Sequence, residues 1–317
     1  MQNGQERKPD LVCSLEKEGF LGSFYQGDRY VDKVIILVGG SGEPRNVVEA
    51  RAAILAGEGY SVLAVGYYLW KPLSKQTVAI PLDYVERAID WLKGKCPVKV
   101  TKIGMFGLSL GAAYTALCGA YFPQISCAIV VSGFDFVVEG CKNMVIRQHR
   151  SYFTLHGGNI PYEPAEALSH LPATLKKWKK DPRYGSRAMN RFYYNECFKD
   201  RTDASRIKVE NGNCDWLFLA PGYDDTWPSD QAVKRMIQIL REKQYPHRYE
   251  CVIYEKGSHL LGMPNEALAA MGDVDKLMRM LGKFLTMEKK YPKECMEARE
   301  ESYQKILSFL RESMIDG

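Results

Sequence analysis

The stretch Ile103-Gly104-Met105-Phe106-Gly107-Leu108-Ser109-Leu110-Gly111-Ala112-Ala113-Tyr114-Thr115-Ala116-Leu117-Cys118-Gly119-Ala120 decides the fold. Ile103–Phe106 is a short apolar run of buried-strand type, and 111–120 is an alanine-rich helical pattern. Between them, Gly107-Leu108-Ser109-Leu110-Gly111 fits GxSxG. A GxSxG in a loop is common by chance, but one set between a strand and a small-residue helix is what a nucleophile elbow requires. The serine occupies a strained strand-to-helix turn, and the flanking glycines let neighbouring backbone come close. The new helix then aims its unpaired N–H groups and partial positive charge at any developing oxyanion.

Working outward, similar apolar runs recur at Val34–Val38, Val62–Val65, Cys127–Val131, Trp216–Ala220 and Tyr249–Tyr254. Helical patterns separate them. One covers 46–56; another starts at Pro81, with Leu82, Val85, Ile89 and Leu92 on one face; a third covers 229–242 behind Ser229 as N-cap. Two more stretches, about 264–286 and 295–314, read as helical, and 19–30 reads as a leading strand or hairpin. Strands apolar throughout, alternating with helices, predict an α/β protein with a mostly parallel sheet covered on both faces. The segment 138–210 is polar and aromatic-rich, with no visible strand, and is too long for a plain loop, so a helical cap is expected there. The expected organisation is an N-terminal extension over 1–30 and one domain over 31–317 carrying this cap.

Composition narrows the functional classes. The 317 residues are 46% hydrophobic and 26% charged, which excludes disordered and collagen-like chains. A net charge of +5 does not suggest a nucleic-acid binder. The polar start reads as no signal peptide, and no apolar run is long enough to span a membrane. Nine cysteines lie scattered with no CxxC pair, so neither a metal site nor a disulfide framework is expected, and the cytoplasm is the expected compartment.

A serine hydroxyl needs a base. In a parallel sheet the reactive crevice lies beyond the strand C-termini. His247 precedes its strand, and His149, His156 and His170 belong to the 138–210 insert, where surface or substrate-contact roles fit better. His259 follows Tyr249–Tyr254 at the right edge and is the expected base. The orienting acid should follow Trp216–Ala220, within Pro221-Gly222-Tyr223-Asp224-Asp225-Thr226-Trp227-Pro228. Counting Gly-x-x-Asp selects Asp225, while counting back from Trp227 selects Asp224; Asp225 is favoured. The order Ser, Asp, His is that of an α/β-hydrolase. The glycine-rich loop Gly39-Gly40-Ser41-Gly42 offers the Ser41 N–H as an oxyanion donor beside that of Leu110.

With these residues in view, the chain from about Val34 to Leu310 resembles the C-terminal catalytic domain of the acyl-CoA thioesterase and bile acid-CoA:amino acid N-acyltransferase family. The carriers are Val38-Gly39-Gly40-Ser41-Gly42, Glu49–Ala56, Ile80-Pro81-Leu82-Asp83-Tyr84, the serine elbow, Gly222–Ser229, Tyr254–His259, Ser302-Tyr303 and Leu307–Leu310. The resemblance implies Ser109, Asp225 and His259 as the triad and a thioester as substrate. The chain departs from the family pattern at Leu110, where many members carry Lys, and thirty residues are too few for the immunoglobulin-like domain that precedes this one in animal members. Amino-acid-conjugating members carry Cys in place of Ser109, so hydrolysis is favoured over N-acyl transfer.

The expected reaction is therefore acyl transfer through Ser109 to water, with no cofactor or metal and with coenzyme A or an alcohol leaving. A carboxylesterase or amide hydrolase is the nearest competitor, because a triad does not identify the leaving group. An N-acyltransferase comes next, and a non-catalytic binding protein on the same fold is least favoured. Lys142, Arg147, Arg150 and the run Lys176–Lys180 are candidates to attract coenzyme A phosphates, although such runs are more often solvated helix faces. Tyr152, Phe153, Trp178, Phe192, Tyr193 and Tyr194 are candidates to line an acyl pocket, and cap packing accounts for them equally well.

Overall fold

The structure, a computed structural model, describes residues 7–142, 146–179, 184–269 and 272–316. The chain opens with β1 (Leu11–Cys13), β2 (Leu21–Tyr25), β3 (Tyr30–Val38), α1 (Arg45–Gly57) and β4 (Tyr60–Gly66). The short β5 (Ile80–Pro81), α2 (Asp83–Gly94), β6 (Lys102–Leu108), α3 (Leu110–Tyr121) and β7 (Ile125–Val131) follow. The insert holds β8 (Glu139–Lys142), β9 (Ile146–Ser151), β10 (Phe153–Leu155), β11 (Gly158–Asn159), α4 (Ala167–Lys179) and α5 (Ala188–Cys197). The chain returns through β12 (Asp215–Pro221), α6 (Ser229–Glu242) and β13 (Tyr249–Tyr254). It ends in α7 (Asn265–Ala269), α8 (Val274–Phe284), α9 (Thr286–Lys290) and α10 (Pro292–Arg311).

An eight-stranded sheet in the order β1-β2-β4-β3-β6-β7-β12-β13 organises the molecule. From β4 to β13 the neighbours are parallel, while β2 joins β4 antiparallel and β1 joins β2 antiparallel. The N-terminal hairpin thus extends the main sheet. Successive strand residues point to opposite faces, and the core divides accordingly. Val34, Ile36 and Val38 pack with Ile89, Leu117 and Val233 on one side. Ile35 and Leu37 pack with Leu55, Ile306 and Phe309 on the other. That two-sided burial explains why the central strands read as unbroken apolar runs.

The insert corrects the expectation of a strandless, purely helical cap. β8 pairs antiparallel with β9, and β10 lies between β11 and β5. These strands are too short and polar to show a hydrophobic period. Distant backbone also holds β10: the N–H groups of Ala79, Ile80 and Leu82 donate to the carbonyls of Ser151, Tyr152 and Thr154. Pairing of Ile80–Pro81 with β10 also delays α2, which begins at Asp83. The expected helix over 264–286 is broken; Leu285 is extended (φ −109°, ψ 125°) between α8 and α9.

Candidate active site

The parallel strands bring their carboxyl ends to one edge, and the loops that follow β3, β6, β12 and β13 meet there. Ser109 follows β6 directly and holds φ 61°, ψ −122°, a conformation that side-chain-bearing residues rarely adopt. Close backbone contact imposes the flanking glycines. A Cβ at Gly107 would lie 2.1 Å from the Gly111 carbonyl oxygen, and one at Gly111 would lie 2.4 Å from that of Gly39. The serine is therefore held at the head of α3 by packing on both sides.

The Ser109 hydroxyl lies 2.8 Å from His259 Nε2. His259 Nδ1 lies 2.9 and 2.8 Å from the two carboxylate oxygens of Asp224. A carboxylate only accepts, so Nδ1 carries the proton and Nε2 accepts from the serine. Asp224 is fully buried, and it also accepts from the Thr226 N–H (2.9 Å) and the Ser229 hydroxyl (2.7 Å). The Trp227 ring stands edge-on to the imidazole, with centroids 5.4 Å apart, and its indole N–H donates to the Ser132 carbonyl.

The favoured assignment of Asp225 is corrected here: the aspartate against His259 is Asp224. Neighbouring residues of this loop point to opposite sides, and Asp225 turns toward the C-terminal helices. It accepts from the Thr286 N–H (2.7 Å) and hydroxyl (2.5 Å). Burial, with Asp224 adding to it against the pull of the Thr286 bonds, pushes the Asp225 carboxyl up to about 6.

Leu110 opens α3, where first-turn N–H groups lack helical partners. Ser41 is exposed in the loop after β3. Its neighbour Gly40 runs against the serine: a Cβ there would lie 3.2 Å from Ser109 Cβ and 3.7 Å from its oxygen.

Three other histidines have partners away from this centre. His247 bonds Asn213, and His149 lies beside Glu139. His156 bonds Glu86 at 2.8 Å, which raises its pKa, and with Asp83 these three form an internally hydrogen-bonded surface group. Among the candidate cations, Arg147 is paired with Glu139, whereas Lys142, Arg150 and Lys176 are exposed. Lys180 lies outside the described residues, as do the side chains of Lys177, Trp178 and Lys179. Phe153 is buried against Tyr152 and Tyr114, and Phe192 packs on Tyr184. Tyr194 touches Tyr193, Phe134, Phe198 and Trp227, joining the insert to the ring beside His259.

Sequence reasoning missed Arg191, on α5 of the insert. Its guanidinium donates to Asp230 (2.7 and 3.2 Å) and to the Asp224 carbonyl (3.1 Å), and its N–H donates to the Asp225 carbonyl. The insert is thereby fastened to the loop that carries the acid. Partners 33 and 39 residues away leave no local pattern.

The sheet order and the serine elbow at its edge define an α/β-hydrolase fold. A Klebsiella pneumoniae protein assigned as a dienelactone hydrolase shares that fold, with a TM-score of 0.51 and 15% identity over 91% of each chain. Residues 80–316 match the family model described as BAAT / Acyl-CoA thioester hydrolase C terminal, and the chain belongs to that family. Acyl-coenzyme A thioesterase 5 of Mus musculus is 33% identical over 233 residues, 69% of this chain and 47% of its own. Acyl-coenzyme A thioesterase 1 of Homo sapiens is 32% identical over 222 residues, again 69% and 47%. The Rattus norvegicus thioesterase 1 is 24% identical over 281 residues, 84% of this chain and 57% of its own. The chain spans about half the length of the curated relatives it matches.

Proposed function

We propose that this protein hydrolyses acyl thioesters, coenzyme A being the leaving thiol, through an acyl-enzyme on Ser109. The observation that carries the reading is the continuous hydrogen-bond chain Ser109–His259–Asp224 at the carboxyl edge of the sheet. Family membership supplies the thioester.

The serine oxygen attacks the acyl carbonyl as its proton passes to His259 Nε2, and Asp224 stabilises the imidazolium. The N–H groups of Leu110 and Ser41 hold the oxyanion. The carbon–sulfur bond breaks, the thiolate leaves and takes up the imidazolium proton, and an ester to Ser109 remains. His259 then takes a proton from water, which attacks that ester, and the freed serine is reprotonated as the carboxylic acid departs.

Nine free cysteines fit a reducing compartment such as the cytoplasm. No helix among the described residues is long and apolar enough to cross a membrane.

A panel of acyl-CoA thioesters, simple esters and aminoacyl amides tests the leaving group. Thioester turnover abolished by Ser109→Ala is expected; efficient ester turnover without thioester activity would overturn the thioesterase reading. Adding glycine or taurine and looking for an amide product separates hydrolysis from acyl transfer.

A further inference from the structure

The loop after β3 carries a buried ion pair that the reaction above leaves unused. Glu43 and Arg51 are 8% and 3% exposed, and Arg51 Nη1 lies 2.7 Å from Glu43 Oε2. The same carboxylate oxygen accepts the N–H of Gly40 at 3.1 Å. Gly40 is the residue whose backbone runs against Ser109. The Arg51 guanidinium also sits over the Phe106 ring, 5.0 Å from its centroid, one strand residue before the elbow begins. Among the described residues Glu43 Oε1 and Arg51 Nη2 are buried without hydrogen-bond partners, so the pair is held at some cost.

Two consequences follow from elementary electrostatics. An N–H already engaged by a carboxylate is spent as a donor, so with Glu43 on the Gly40 N–H the oxyanion donor proposed above is that of the next residue, Ser41. A carboxylate bonded to Gly40, whose backbone abuts Ser109, would also oppose the negative charge of the tetrahedral intermediate in a site of low dielectric. Arg51, reaching back from α1, cancels that charge. We propose that Glu43 and Arg51 are positioning residues of the oxyanion loop, Glu43 orienting its backbone and Arg51 neutralising Glu43 during attack at Ser109. This rests on the serine-hydrolase reading above.

The full chain is titrated with a fluorophosphonate, whose phosphoryl oxygen occupies the oxyanion position, and labelling rates are compared with kcat and KM on an acyl-CoA thioester. Four proteins are compared: wild type, Arg51→Met, Glu43→Gln and the double variant. Arg51→Met should lower labelling rate and kcat ~10–100-fold, somewhat less than loss of a whole oxyanion donor, with KM within about threefold. The double variant should recover at least ~10-fold over Arg51→Met, because the opposing charge is gone. Thermal melting identifies variants that fail to fold, and Arg51→Gln then replaces Arg51→Met. A double variant no faster than Arg51→Met, or a folded Arg51→Met that labels like wild type, would overturn the inference. Absence of labelling in the wild type itself would instead overturn the assignment of Ser109.

Discussion

Asp224 meets His259 with both carboxylate oxygens within 2.9 Å of Nδ1, while Asp225, the next residue, has its carboxylate on Thr286 instead. Two adjacent buried acids therefore belong to two different parts of the structure. One faces the imidazole, and the other ties the loop to the C-terminal helices.

Exchanging each carboxylate for an amide should separate the two. Asp224→Asn favours the wrong imidazole tautomer and should lower kcat by ~10³–10⁴-fold, whereas Asp225→Asn should cost less than ~10-fold. Steady-state turnover of an acyl-CoA thioester measures both. Comparable losses from the two variants would contradict this division of roles.

Asp225 also makes stability depend on pH. Its carboxyl is raised from the usual 3.8 to about 6 in the fold. Below 3.8 it is protonated whether the chain is folded or unfolded, and its contribution is fully present. As pH rises toward 6 the unfolded state releases its proton first, and that contribution is lost. The loss amounts to about 3 kcal/mol. An asparagine can accept the Thr286 N–H and donate to its hydroxyl without titrating. Urea unfolding at pH 4 and pH 7 should show Asp225→Asn gaining on wild type by up to this amount at the higher pH.

The elbow leaves no room for a methyl group at Gly111, since the Cβ would lie 2.4 Å from the Gly39 carbonyl oxygen. Gly111→Ala must displace backbone of either α3 or the loop after β3, and a loss of about 2–3 kcal/mol is expected. Chemical denaturation checks the size of the effect. Slowed fluorophosphonate labelling at temperatures where the variant remains folded checks its location.

Arg191 and Asp230 are nearly buried, with side chains 9% and 13% exposed. Arg191→Met leaves the carboxylate unpaired and releases α5 from the acid loop, at a cost of about 3 kcal/mol. Limited proteolysis should then cut within 184–197 faster than in wild type, and kcat should fall as Asp224 loses its support. Unchanged proteolysis with unchanged kcat would show that the insert is anchored elsewhere.

Much of this architecture was legible because burial on both sheet faces writes itself into the chain. β13 coincides with the predicted Tyr249–Tyr254 run, and α6 with 229–242. The elbow was legible for a related reason: Gly107, Ser109 and Gly111 are each required by contacts within one strand, one turn and one helix. The strands of the insert were not legible, because they are short and because β10 joins β5, more than 70 residues earlier in the chain, as well as its neighbour β11. A separation of 39 residues likewise hid Arg191 against Asp230.

The sequence by itself determined the sheet, the order of its elements and the edge at which Ser109 and His259 meet, because these follow from hydrophobic period and strand direction. Tertiary structure alone decided which of two consecutive aspartates faces the imidazole. It also decided that Glu43 takes the Gly40 N–H and that Arg51 covers Glu43. These outcomes depend on side-chain direction in loops, where no period exists and where the deciding partners, such as Thr286 and His259, come from distant parts of the chain.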